Sequence, residues 1–387
     1  MNTSNQSTLR HLLIQAIAAV LTLTFLLVVG SDALRSLLIA GLICLVALYM
    51  VVFLHELGHY LAGMRVGYRF AIFSVGPVYV QSQDGKMVTG LHPFQWPPSE
   101  ILGFTVFFVE DFADFRLRML LYVAGGPLAT ALTVALAGFL YAVGNQFPNF
   151  GLYYTQPITW ALGIFTFGLM MASVSLLVGS LYPANWVPTD GNKLFRLLRS
   201  EASAERLKAQ IMVAQANLHG IRPRDWNRDW ITAMTALDEP SVDTVQAYMQ
   251  AYRWGLDSGD EHLAESFLTI AVKHRQQAAP NERVTVLLEA AFFEMRYHAN
   301  PQHAIEWLSK LENQQNRARA TIVMRMACAR DLTRRQYDKA RQRAYQAIDM
   351  LDSANAFDGR SIMERDLFRD MIKLCDLADE MQSKRAN

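Results

Sequence analysis

Residues 37–59 read LLIAGLICLVALYMVVFLHELGH: eighteen uncharged positions through Leu54, then His55-Glu56-Leu57-Gly58-His59. An apolar run of that length is about what a helix needs to cross some 30 Å of hydrocarbon. Ionisable residues at its end are costly near lipid and point to a function with a partner. Two histidines four residues apart fall on one helical face, so both imidazoles can reach a single Zn²⁺ at about 2.0–2.1 Å. Glu56, beside the first histidine, is then placed to reach a water at the metal rather than the metal itself. The blander reading is a helix end already in water, but such positions normally carry Lys, Arg, Trp or Tyr.

Working outward, residues 1–182 contain only seven basic and seven acidic residues, against 29 and 28 in 183–387. The chain reads as a membrane half joined to a water-soluble half. Four runs, near 12–29, 36–60, 119–143 and 157–182, are long enough to span a bilayer as helices. The first could be a secretory signal, but its length and the lack of a small-x-small cleavage site favour an uncleaved helix. Arg10, Arg65, Arg69, Lys86, Arg116, Arg118, Lys193, Arg196 and Arg199 fall on one side of these spans and only Arg35 on the other. Both termini are therefore expected in the cytoplasm, as are the polar ends of the second and fourth spans, and the expected location is a bacterial cytoplasmic membrane. A net charge of +1 excludes a nucleic-acid partner resting on bulk electrostatics. Cys44, Cys328 and Cys375 form no motif, as suits a reducing compartment.

The segment 64–118 is too polar for another span and rich in aromatics. Residues 68–90 read as extended chain around an Asp84-Gly85 hairpin turn, with Pro93, Pro97 and Pro98 forbidding regular structure beyond it. It is either an interfacial loop or a sheet edge to which an extended peptide adds a strand.

A catalytic zinc needs a third protein ligand and one open position. Asp190, in Val187-Pro188-Thr189-Asp190-Gly191, follows the last span where the chain can turn back toward the bilayer. Glu100, Glu110, Asp111 and Asp114 are the alternatives, in a loop crowded with solvent-compatible acids.

Over about 45–200 the chain resembles the intramembrane zinc metalloproteases of the site-2 protease type. The likeness rests on HELGH at 55–59, Phe73-Ser74-Val75-Gly76-Pro77, Gly125-Gly126-Pro127, and Asp190-Gly191 followed by an amphipathic segment at 192–198. The resemblance implies a core of three helices and one Zn²⁺ per chain on His55, His59 and Asp190. It further implies Glu56 as general base and hydrolysis of a peptide bond in a membrane-embedded, single-span substrate. Gly126, Pro127, Thr130 and Ser180 then fall where the family contacts substrate. Thr130 and Ser180 stand where the family usually has asparagine, and a hydroxyl offers shorter reach and one polar group instead of two. Independently of any resemblance, the glycines at 125 and 126 suit close helix packing and Pro127 loosens its helix.

From about 200 onward the pattern is helical throughout, with breaks near Gly220, Glu239-Pro240, Gly259, Pro280, Asn300-Pro301, Arg335 and Ala356. Ala264, Ala304 and Ala340 recur 40 and 36 residues apart, close to the tetratricopeptide period, so the half reads as degenerate helical hairpins presenting a surface to a protein partner, or as an irregular bundle. The expected organisation is a first span and turn at 1–35, a metalloprotease core at 36–200 with the loop 64–118, and a cytoplasmic all-α domain at 201–387. The rival functions are a membrane-anchored adaptor with a non-catalytic metal site, and a zinc transporter or sensor. A transporter would carry ionisable groups within its later spans, and these have none.

Overall fold

The computed structural model describes residues 31–83, 86–91, 103–146, 157–182, 189–311, 318–354 and 356–386. The expected span at 12–29, the prolines at 93–98 and Glu100 lie outside them. The chain divides into two compact units, Met1–Asp111 with Leu117–Tyr182, and Phe112–Arg116 with Pro183–Asn387.

The first unit contains three helices long and apolar enough to cross a membrane. Helix α1 (Asp32–Arg65) begins at Ser31, whose hydroxyl accepts from Leu34 N at 3.4 Å. It ends just before Gly67, which holds φ +78°, and Arg118 Nε donates to Val66 O at 3.0 Å there. Helices α2 (Phe115–Gln146) and α3 (Pro157–Leu181) complete the set. Leu42, Val46, Phe53, Leu132, Leu136, Phe139 and Val178 stand exposed on these helices. A small cluster of Ala47, Val51, Ala137 and Leu169 is buried between them. Where α1 meets α2, small residues make the contact. A Cβ on Gly58 would fall 2.3 Å from Gly125 O, and one on Gly125 would fall 2.4 Å from Gly58 O, so α1 and α2 cross backbone to backbone.

Between α1 and α2 lies an antiparallel sheet of β1 (Arg69–Val75), β2 (Val78–Gln83), β3 (Lys86–Leu91) and β4 (Gly103–Phe108), in the order β3-β2-β1-β4. The expected hairpin is present as β2 and β3, which pair from Val78↔Leu91 to Gln83↔Lys86. It is only half of the sheet. A second tight turn at Gly76 (φ +56°) folds β1 onto β2, and β4 returns to pair with β1 from Arg69↔Phe108 to Val75↔Gly103. Aromatic rings fasten the sheet to α1: Phe53 meets Phe73 at 5.7 Å, Tyr60 meets Phe70 at 5.3 Å, and Tyr60 meets Phe107 at 6.1 Å.

The second unit is helical: α4 (Asp190–Arg199), α5 (Glu201–Leu218), α6 (Arg228–Thr235), α7 (Val242–Asp257), α8 (Glu261–His274), α9 (Pro280–Arg296), α10 (Pro301–Ser309), α11 (Ala320–Thr333), α12 (Tyr337–Ser353) and α13 (Gly359–Ala386). Each expected break falls at a helix boundary, and two further breaks, at Ser200 and between α10 and α11, were not expected. Ser200 stops α4 in extended backbone (φ −159°, ψ 160°), and its hydroxyl then accepts from Ser203 N at 3.1 Å to start α5. Helices α7 and α8, α9 and α10, and α11 and α12 form three hairpins. The recurring alanines, Ala264, Ala304 and Ala340, are fully buried in them, and Gly255 admits the Ala264 backbone so closely that a Cβ would meet Ala264 N at 2.9 Å. Arg325 of α11, Glu289 of α9 and Tyr252 of α7 form a buried polar seam: the guanidinium donates to Glu289 Oε1 at 2.5 Å and the phenol to Oε2 at 3.2 Å.

Candidate metal centre

His55, Glu56 and His59 occupy the last turns of α1, where the helix leaves its apolar stretch, and all three are buried. The imidazoles lie edge to face with centroids 4.9 Å apart. Each is gripped at Nδ1. His59 Nδ1 lies 3.0 Å from Tyr122 O, and a carbonyl can only accept, so this nitrogen carries the proton. His55 Nδ1 lies 2.8 Å from Thr130 Oγ1. The Thr130 hydroxyl spends its own proton on Gly126 O at 3.1 Å, so it accepts from His55, and here too the proton sits on Nδ1. Both rings thus present Nε2 lone pairs, the tautomer in which a histidine serves as a metal ligand.

Helix α2 shapes the space around these nitrogens. A Cβ on Gly126 would stand 2.3 Å from His59 Nε2, so any side chain there would occupy the volume at the ligand atom. Pro127 removes one donor from the helix and leaves Val123 O without its usual partner four residues on, beside the Tyr122 carbonyl that receives His59. Thr130 is fully buried, and where the family likeness suggests a substrate contact, its hydroxyl meets an imidazole. Ser180, near the end of α3, donates to Leu177 O of its own helix at 3.2 Å.

Glu56 is positioned by β4. Thr105 Oγ1 lies 2.8 Å from Glu56 Oε2 and 3.2 Å from Glu56 O, while Thr105 O accepts from Tyr122 OH at 2.6 Å. Gly103 lets the strand pass: a Cβ there would come within 2.9 Å of Glu56 Cγ. Sequence reasoning missed β4 and hence Thr105, since six residues after a proline-rich stretch carry no clear alternation and their partner strand lies about 30 positions earlier.

Asp190 opens α4, where Thr189 Oγ1 accepts from Asn192 N at 3.2 Å to cap the helix. His55 and His59 are buried in the first unit, and Asp190 is half-buried in the second. Of the alternative carboxylates, Glu110 pairs with Arg69 at 2.8 Å and Asp111 with Arg118 at 2.8 Å. Asp114 sits in left-handed backbone at φ 48°. Two imidazoles and one carboxylate, with hydrogen-bonded support behind both rings, are a donor set suited to catalytic zinc. Comparison with protein families, curated proteins and solved structures returned no match to this chain.

Proposed function

We propose that the chain is a zinc-dependent endopeptidase of the site-2 protease type, acting on a peptide bond of a membrane-embedded substrate, with α1, α2 and α3 spanning the bilayer and the HELGH end facing the cytoplasm. The observation that carries this reading is the pair of imidazoles, each fixed with its proton on Nδ1, at the end of an apolar helix. His55, His59 and Asp190 would hold the metal. Bound there, zinc supplies Lewis-acid polarisation of the scissile carbonyl.

The remaining steps belong to this chain's own groups. Glu56 takes a proton from the attacking water and returns it to the leaving amine, and Thr105 keeps its carboxylate aimed by holding Oε2. Thr130 and Tyr122 keep the rings from turning as charge develops. A substrate helix hides its own carbonyls, so it must unwind before attack and needs partners for the freed backbone. An edge strand supplies them, and β4 is the edge of the sheet that touches Glu56.

The test is Glu56→Gln in the full chain purified in detergent. Metal content stays at one zinc per chain while cleavage of a single-span reporter is lost. An adaptor or a transporter would keep its function in this variant, and that outcome overturns the reading.

A further inference from the structure

The helical unit carries a feature that the protease reading does not use. An open cleft of about 270 Å³ is lined by Arg253 of α7, by Asn281, Glu282 and Thr285 in the first turns of α9, by Arg319 at the start of α11, and by Arg360 in the first turn of α13. Three guanidiniums from three parts of the chain thus converge on one space. Arg319 is exposed and its side chain caps nothing. Arg253 Nε and Arg360 Nη2 are buried atoms with no hydrogen-bond partner among the described residues. The acids behind the cleft are already engaged, Glu364 with Arg360 at 3.1 Å and Glu289 with Arg325. Only Glu282 shares the cleft as an acid, and Gln246 Nε2 lies 3.5 Å from its carboxylate.

Such an arrangement is costly without a counterion. Burial, followed by the field of Arg360, brings the Arg253 guanidinium down to about 9. Arg360 first, and burial second, lower Arg319. The starts of α9 and α11 add the positive ends of two helix dipoles to the same space.

We propose that this cleft binds the phosphoryl group of a small solute, held by Arg253, Arg319 and Arg360 with the Asn281 side-chain amide as a neutral donor. With Glu364 pairing Arg360 and Glu282 in the cleft, three guanidiniums against two carboxylates leave one positive charge, enough to favour an anion. A phosphoryl group offers three acceptor oxygens to the three guanidiniums where a carboxylate offers two. Guanidinium forks also suit phosphate oxygens geometrically.

Equilibrium dialysis of the full chain in detergent at fixed ionic strength tests this, with inorganic phosphate and glycerol phosphate as probes and acetate as competitor. The expected result is saturable binding of one phosphate or one ester per chain, little displaced by excess acetate. Arg253→Gln and Arg319→Gln each weaken binding at least about tenfold, and Arg319→Lys falls between. Because Arg319 is exposed, its loss leaves the helices intact, which an unchanged thermal melt would verify. Tighter binding of the ester than of inorganic phosphate identifies a phosphorylated metabolite as the ligand, and the reverse identifies the free ion. Absence of saturable binding at millimolar concentration, wild-type affinity in either glutamine variant, or competition by acetate on equal terms overturns the proposal.

Discussion

At the scale of single residues, Thr130 decides how His55 can act. Its hydroxyl has one proton, given to Gly126 O, and a lone pair, given to His55 Nδ1–H, so the ring cannot switch tautomer without breaking both bonds. Thr130→Val keeps the shape and removes both. Zinc affinity is expected to fall about 10–100-fold, measured by competition with a chromophoric chelator, and Thr130→Ser to restore most of it. The family-like spacing pointed to position 130 as important, yet the role visible here depends on which way one hydroxyl points, and sequence spacing does not encode that. His55, Glu56 and His59 were legible for the opposite reason: all three lie within five consecutive residues of one helix, where local geometry alone brings the imidazoles together.

Glu364, in the helical unit, titrates by the same kind of local accounting. Burial pushes its carboxyl up, but Arg360 and Arg325 outweigh burial and hold it below the ordinary carboxylate value. An acid whose folded value is depressed contributes stability above its unfolded value and loses it as the pH falls through the folded one. The helical unit should therefore lose stability on acidification below the ordinary glutamate range, and Glu364→Gln should lower stability at neutral pH while flattening that acid limb. Urea midpoints measured between pH 3 and pH 7 (roughly the carboxylate window) check both.

At the scale of elements, the three hairpins turn through a left-handed residue at the same place, the middle turn being one residue longer. Gly259, Ala299 and Arg335 adopt left-handed backbone, at φ +75°, +50° and +57°, just before the second helix of each pair. The next residue then closes the turn: Asp260 N bonds Gly255 O at 3.1 Å, Asn300 N bonds Glu294 O at 3.0 Å, and Gln336 N bonds Asp331 O at 2.8 Å. This conformation costs a residue bearing a Cβ about 1–2 kcal/mol. Gly259→Ala meets no atom within 4 Å, so its expected destabilisation of about 1 kcal/mol is backbone strain alone. Ala299→Gly and Arg335→Gly should raise stability by up to about 1 kcal/mol, less what the freer unfolded chain takes back, as read from urea midpoints. The helix breaks were legible because Gly, Pro and Asn punctuate them. The likeness of the three turns was not, because only one of them uses glycine. The sheet was half legible for a related reason. An Asp-Gly turn announces β2 and β3, whereas the pairing of β1 with β4 is non-local and leaves no mark in either strand.

At the scale of the whole molecule, the contrast in charge density between 1–182 and 183–387 anticipated two kinds of surface, and the compact units part at Tyr182. Less legible was how firmly α4, which carries Asp190, is built into the helical unit. Arg196 pairs with the buried Asp243 of α7, Arg199 pairs with Glu239 at 2.8 Å, and Leu197 is fully buried. Arg116, at the start of α2, donates to Leu197 O at 2.6 Å and to Leu198 O at 3.2 Å. If Asp190 is a zinc ligand, the helical unit acts as its mount, and the metal site should weaken when the mount is removed although every ligand remains. Deleting 205–387 removes Asp243 and Glu239 together, so α4 loses both ion pairs that tie it to the helical unit and Arg196 keeps only Asn192 Oδ1 of its own helix. The truncated chain should then bind zinc at below one per chain after dialysis against a mild chelator, and its residual cleavage should fall in proportion. Arg196→Ala in the intact chain should reproduce the defect in weaker form. A truncated protein that keeps full zinc and full cleavage would show that α4 holds Asp190 unaided, leaving the helical unit to the recruitment of partners.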